Sequence, residues 1–308
     1  MESILITGVS GFIGSRLAAR LSAEDGLQVS GASRTRPPSS DRLVWNSADL
    51  SRDDGGLHEV VRSVKPDLIV HAAAVADLAA CERAPAQARA VNVDGTRRVI
   101  DAAASVDARL IHVSTDQVFD GTRGGYRETD KPSPLHEYGR TKHDAERLVL
   151  EARESGRPAI IVRLPLVYGT SPTTTRSASE QLLRIHERCE RARLFIDEYR
   201  SPILVDDFAS CFAEIIRTSP EEWPDILHLA GPERVSRFNF GVALAEIFEL
   251  GTSWIDRARQ RDLPLSPPRP ADLSLDTTLA RARLDSCPRG VRAGLTAWRD
   301  ELRGSEVS

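Results

Sequence analysis

A tyrosine and a lysine one helical turn apart occur in the stretch Tyr138-Gly139-Arg140-Thr141-Lys142, and Ser114-Thr115-Asp116-Gln117 lies upstream of them. On a helix, residues i and i+4 share one face. An ammonium placed there can stabilise the phenolate of a tyrosine whose ordinary pKa is about 10. A threonine hydroxyl held beside the phenol would grip a carbonyl oxygen, and the set would suit proton transfer as a ketone becomes an alcohol. Lys65, Lys131 and Lys142 are the only lysines among 41 basic residues. An unconstrained basic position in this chain would be arginine, whereas Lys142 supplies a compact ammonium of tunable pKa. Taken alone, the spacing is also that of an ordinary surface helix, so its weight depends on the elements that would position it.

The first of these is the N-terminal run Ile4-Leu5-Ile6-Thr7, which leads into Gly8-Val9-Ser10-Gly11-Phe12-Ile13-Gly14. A short apolar strand meets a glycine turn. Apolar residues then recur with helical period at Phe12, Ile13, Leu17 and Leu21. Glycines permit the tight turn and close backbone approach that set a pyrophosphate on a helix N-terminus. Further apolar strands follow at Leu27–Ser33, 43–50, 68–71, 110–114 and 159–163. Helical segments lie between them at 57–64, 85–104 and 138–155. Strict alternation predicts an α/β fold, a Rossmann-like, doubly wound parallel sheet with helices on both faces. Its strands carry little alternation, as expected when both faces are buried.

After Gly169 the pattern weakens. Residues 171–179 are rich in serine and threonine and read as a mobile loop, and the proline-dense run 264–270 reads as a connector. We therefore expect a cofactor-binding domain over residues 1–169. Residues 170–308 would form mainly a smaller substrate-binding lobe, some segments of which return to the first domain. A net charge of −4 indicates no nucleic-acid-binding surface. The four cysteines, Cys81, Cys189, Cys211 and Cys287, are scattered, so reduced thiols are expected and no metal site or disulfide framework is indicated. No apolar run approaches membrane-spanning length, and the first strand occupies the place of a signal peptide. A soluble, cytoplasmic protein with no membrane partner is expected, a homodimer being one open possibility.

In these motifs the chain resembles the extended short-chain dehydrogenases/reductases, and within them the dTDP-4-dehydrorhamnose reductase family. The resemblance rests on T-G-x-x-G-x-x-G at 7–14, His71-Ala72-Ala73-Ala74, Val91-Asn92-Val93-Asp94 and Ser114-Thr115-Asp116-Gln117-Val118-Phe119-Asp120-Gly121. It extends through Tyr126-x-Glu128-x-x-x-Pro132-x-Pro134, Tyr138-Gly139-x-x-Lys142 and the late Arg269-Pro270-Ala271-Asp272-x-x-Leu275-Asp276. It implies that Tyr138 delivers a proton to the substrate carbonyl oxygen. Lys142 would lower the tyrosine pKa and hold the nicotinamide ribose, and Thr115, with Ser114 as the alternative, would hydrogen-bond the same oxygen. Gly8, Ser10, Gly11, Phe12, Ile13, Gly14, Asp49, Leu50, Ala72, Ala73 and Ala74 would bind the cofactor. Asn92 is grouped with them, as a supporting or helix-bending residue. Asp116, Gln117 and Arg200 would meet the substrate.

Two positions discriminate within that resemblance. Dehydratases of the superfamily typically follow the catalytic threonine with Asp-Glu. Here Gln117 stands in place of the glutamate, and a carboxamide cannot take up a proton at neutral pH. Reductases of the resembled family often carry an aromatic residue there, so Gln117 departs from both patterns and bears on substrate identity. At the end of the second strand, Gly31-Ala32-Ser33-Arg34-Thr35-Arg36 holds no acid to bind a ribose 2′-hydroxyl. Ser33 and Arg34 could instead meet the 2′-phosphate of NADPH, NADH being possible. The expected activity is reduction of a nucleoside-diphosphate 4-keto-6-deoxy sugar to the 4-hydroxy sugar. Two alternatives are a nucleotide-sugar epimerase with bound NAD and a non-catalytic NADP-binding subunit resembling the regulatory subunit of methionine adenosyltransferase.

Overall fold

Ile4, Leu5 and Ile6 have no polar side-chain group to satisfy and are wholly buried in the first strand, β1 (Glu2–Thr7), of a computed structural model. It describes residues 1–37, 43–171, 177–263, 265 and 267–305. Parts of the expected 171–179 loop and 264–270 connector, and Pro38 of the loop after the second strand, lie outside the described residues. The strands β2 (Leu27–Ser33), β3 (Val44–Ser47), β4 (Leu68–His71), β5 (Arg109–Thr115) and β6 (Ala159–Leu164) join β1 in one sheet. A final strand, Ile226–His228, pairs with β6, giving the order Ile226–His228, β6, β5, β4, β1, β2, β3. Every pairing is parallel. The chain runs outward from β1 to β3, then restarts at β4 on the other side of β1. That reversal is the switch point at which open α/β sheets leave a crevice outside the strand C-termini.

Apolar side chains cover both faces of the sheet. On one face Leu17, Phe208 and Phe212 pack on Ile4, Ile6 and Val162; on the other Leu57, Val61, Val99 and Val149 pack on Leu5, Ile69 and Ile161. A separate cluster around Tyr168, Phe240, Leu244, Trp254 and Trp298 organises the later part of the chain, together with three two-stranded pairings among the described residues.

Two helical segments carry the residues of chemical interest. Glu137–Glu154 starts where the His136 side chain accepts the Gly139 N–H, and it buries Thr141, Lys142, Ala145, Glu146, Val149 and Ala152 along one face. The 85–104 stretch is interrupted: Pro85–Arg89 passes through a wide π turn, Ala90–Asp94, before continuing as Gly95–Ala104. Asn92 lies at the centre of that turn.

Candidate functional site

At the switch point, a cleft of about 530 Å³ opens between the ends of β1, β2 and β4. Gly8, Ser10, Gly11, Ser33, Arg34, Asp49, Leu50, Ala72, Ala73 and Ala74 all line it, as expected from the sequence. Gly8 has φ 73° and a Cβ there would come 2.6 Å from the Ala73 backbone, so the turn requires glycine. Phe12, Ile13 and Gly14 form the start of the helix that follows. Its N-cap, Gly11, offers no side-chain acceptor, which leaves first-turn N–H groups available to an anion. The residues therefore fit a dinucleotide phosphate.

Arg34 is exposed at the cleft beside Asp49. Burial alone would raise the Asp49 carboxyl, but hydrogen bonds from Ser51 and the charges of Arg34 and Arg52 hold it below its ordinary value. Ser33 is engaged within the protein: its hydroxyl donates to the Thr35 carbonyl at 2.8 Å and accepts from Trp45 Nε1 at 3.0 Å. It braces the loop that carries Arg34. Asn92 does not line the cleft. Its Oδ1 accepts the Val75 N–H at 2.8 Å, and its Nδ2 donates to the Val75 carbonyl and to Thr141 Oγ1. Because Val75 is a cleft residue and Thr141 belongs to the Tyr138 helix, Asn92 ties one to the other.

The fold brings Tyr138 and Thr115 together, Thr115 Oγ1 also donating to Asp116 Oδ1 at 3.2 Å, and burial pushes the phenol well above its ordinary pKa. Gly139 lets the helix seat this closely, because a Cβ there would overlap the carbonyl oxygen of Gln117. Lys142 is almost fully buried and donates to the Val113 carbonyl at 2.8 Å and to His112 Nε2 at 2.9 Å. Burial lowers its pKa to about 8, with Glu146 opposing the shift. His112, itself buried beside Lys142 and His71, is held well below its usual pKa and accepts that bond as a neutral ring. Ser114 does not share Thr115's position. Its hydroxyl donates to buried Glu146 at 2.6 Å.

Asp116 is buried, and burial raises its pKa to about 6 against the opposing charge of Arg200. Arg200 is buried as well, with Nε 3.7 Å from Asp116 Oδ2 and Nη2 3.3 Å from Glu198 Oε1. It is therefore no ordinary surface charge. Arg237 and Arg269 approach the same Glu198 at 4.0 and 3.8 Å. Gln117 accepts a 2.8 Å hydrogen bond at Oε1 from His136 Nε2. The sequence reading missed His112, His136, Glu146 and Glu198. His136 directly precedes the helix in cap position, and Glu146 lies one turn beyond Lys142, so both left a positional signal. His112 and Glu198 left none.

Comparison with known proteins follows the same lines. A family model described as the RmlD substrate binding domain matches residues 1–303. The chain is 31% identical over 277 residues to methionine adenosyltransferase 2 subunit beta of Xenopus laevis, covering 88% of this chain and 79% of that protein. It is 29% identical over 287 residues to the dTDP-4-dehydrorhamnose reductase of Aggregatibacter actinomycetemcomitans, covering 90% and 92% of the two chains. A dTDP-4-dehydrorhamnose reductase from Bacillus anthracis, solved in complex with NADP, superposes with a TM-score of 0.83 at 22% identity over 97% and 99% of the two chains; that likeness concerns the fold. With a family model spanning nearly its whole length, the chain belongs to the RmlD substrate binding domain family.

Proposed function

We propose that the protein is an NADPH-dependent oxidoreductase that reduces a nucleoside-diphosphate 4-keto-6-deoxy sugar to its 4-hydroxy form. The observation that carries this reading is the Thr115–Tyr138 hydroxyl pair, with Lys142 one turn away, beside a cleft whose helix N-terminus is open to phosphate. The relative from Aggregatibacter named as a dTDP-4-dehydrorhamnose reductase supports it, as does the fold shared with an NADP complex. In this reading residues 1–169 hold the cofactor, and residues 170–308 contribute chiefly to the substrate side.

The nicotinamide, when bound, supplies hydride to the carbonyl carbon. Tyr138 gives its proton to the carbonyl oxygen, and Thr115 hydrogen-bonds that oxygen as charge develops on it. Lys142, held by the Val113 carbonyl and His112, keeps a positive charge one turn from the phenol. Gln117 offers no carboxyl group for elimination, which separates the reaction from dehydration. Arg34 fits the 2′-phosphate, favouring NADPH over NADH.

The test is NADPH oxidation by the purified protein over a panel of dTDP-4-keto-6-deoxy sugars. Turnover with one of them, with the 4-hydroxy sugar as product, is the expected result. Loss of NADPH binding, or NADPH binding without turnover on any member, would overturn the reading. Redox-neutral interconversion of a sugar pair with NAD would make the protein an epimerase.

A further inference from the structure

The imidazole of His136 is fully buried and engaged at both nitrogens. Its Nδ1 accepts the backbone N–H of Gly139 at 3.1 Å, closing the first turn of the helix Glu137–Glu154. A nitrogen that accepts a hydrogen bond carries no proton, so the ring proton of the neutral imidazole resides on Nε2. Burial pushes the His136 pKa down to about 4, which keeps the ring neutral near pH 7. Nε2 therefore donates its proton to Gln117 Oε1 at 2.8 Å. This in turn fixes which way the Gln117 carboxamide faces, because its oxygen is the atom turned to His136. Its Nε2 makes no hydrogen bond with the described residues and remains a two-proton donor. Gln117 follows Thr115 and Asp116 at the C-terminal end of β5, where ligands of open α/β sheets bind. The His136 ring also lies parallel to Tyr138, with centroids 6.3 Å apart.

We infer that His136 is a positioning residue that locks the Gln117 carboxamide with its amide N–H groups toward the substrate, making Gln117 a specificity determinant for a sugar oxygen near the reacting carbonyl. The inference deepens the proposed reductase reading and rests on it for the identity of the ligand. One histidine thus does two things: it caps the helix that carries Tyr138, and it sets the hydrogen-bond polarity of the neighbouring side chain. An unlocked carboxamide could rotate and present its oxygen, which would lose the hydrogen bond to a carbonyl and could take one from a hydroxyl.

His136→Ser separates the two roles, since a serine hydroxyl can cap the helix but cannot reach Gln117. His136→Ser and Gln117→Ala should each raise KM for the preferred sugar nucleotide on the order of tenfold, the scale of one hydrogen bond, with little change in kcat. NADPH affinity should stay at the wild-type value. The double variant should lose no more than either single one, because one contact is removed twice. Wild-type KM in His136→Ser, or losses that multiply in the double variant, would overturn the inference. Nitrogen-15 NMR of histidine-labelled protein gives a readout independent of turnover: His136 should be protonated at Nε2 alone at pH 7. Protonation at Nδ1 would overturn the inference even in an active enzyme. Conversely, a wild-type protein that reduces no sugar on the panel but holds the Nε2–H tautomer would refute the reductase reading alone, and binding of a dTDP-4-keto-6-deoxy sugar, without NADPH, to wild type and His136→Ser, read by calorimetry, would then decide the inference. A drop on the order of tenfold in affinity supports it; equal affinity overturns it.

Discussion

In the proposed reaction Tyr138 is the acid, and its burial suits that role by keeping it protonated. Burial raises its pKa far more than the hydrogen bond from Thr115 lowers it, so at neutral pH the side chain is a phenol with a proton to give. Tyr138→Phe keeps the ring and removes that proton. We expect kcat to fall by about 10²–10⁴-fold with NADPH affinity within a factor of about two of wild type, as measured by steady-state kinetics and fluorescence titration. Lys142 sets a different limit. Burial disfavours its ammonium and brings its pKa to about 8, so the charged form prevails below that value and is lost above it. The expected pH profile of kcat/KM is level through neutrality and declines above pH about 8. A profile level to pH 10 would show that the ammonium is not required.

At the scale of elements, a buried ion pair holds the Tyr138 helix against the sheet. Glu146 accepts from Ser114 on β5 and, at 2.8 and 2.7 Å, from Arg163 on β6. Burial alone would raise this carboxyl, but Arg163 and the hydrogen bonds outweigh it and hold the pKa at about 2, against an ordinary 4.5. Since the folded pKa is the lower one, the unfolded chain binds more protons between these values. The contribution to stability is therefore complete above pH 4.5 and is lost as pH falls towards 2. Glu146→Gln leaves Arg163 buried without its partner and should cost about 3–5 kcal/mol. Urea unfolding at pH 7 measures this, and the variant should show a shallower loss of stability across the acid range. The late Arg269-Pro270-Ala271-Asp272 motif acts on the same scale. Asp272 receives the Ser274 hydroxyl at 2.7 Å and Arg234 Nε at 2.6 Å, while its own N–H donates to Gly121, which latches the loop that follows β5.

Across the whole molecule, cofactor binding and stability are linked. A ligand that binds only the folded protein stabilises it by about 2.7 kcal/mol at a hundredfold excess over its Kd. NADPH at that excess should therefore raise the melting temperature by several degrees. Arg34 lies exposed at the cleft rim, so Arg34→Ala should leave the melting temperature of the free protein unchanged. It should also weaken NADPH affinity by about 1.5–3 kcal/mol and leave NADH affinity nearly intact. Equal losses for the two cofactors, measured by thermal shift across a titration, would assign Arg34 to the cleft wall rather than to a 2′-phosphate.

The order of strands and helices, the glycine turn and the Tyr138–Lys142 face were legible from the sequence because each depends on local periodicity or spacing. Apolar runs such as Ile4-Leu5-Ile6 announce doubly buried strands, and the Gly8 turn needs only its own backbone to be recognised. That no described helix is long and apolar enough to cross a membrane follows from the same local reading. What tertiary structure alone decided is which polar groups meet across long sequence separations. Ser114 and Thr115 are neighbours in the chain, yet one donates to Glu146 while the other donates to Asp116 beside Tyr138. Ser33 reads as a phosphate ligand, and only the fold shows that its hydroxyl also donates to the Thr35 carbonyl and accepts from Trp45 on β3. Arg200 is a candidate substrate contact by sequence, and only the fold shows it buried between Asp116 and Glu198. Hydrogen bonds and ion pairs are short-ranged and directional, so their partners are fixed only when the chain has brought distant segments within about 3 Å.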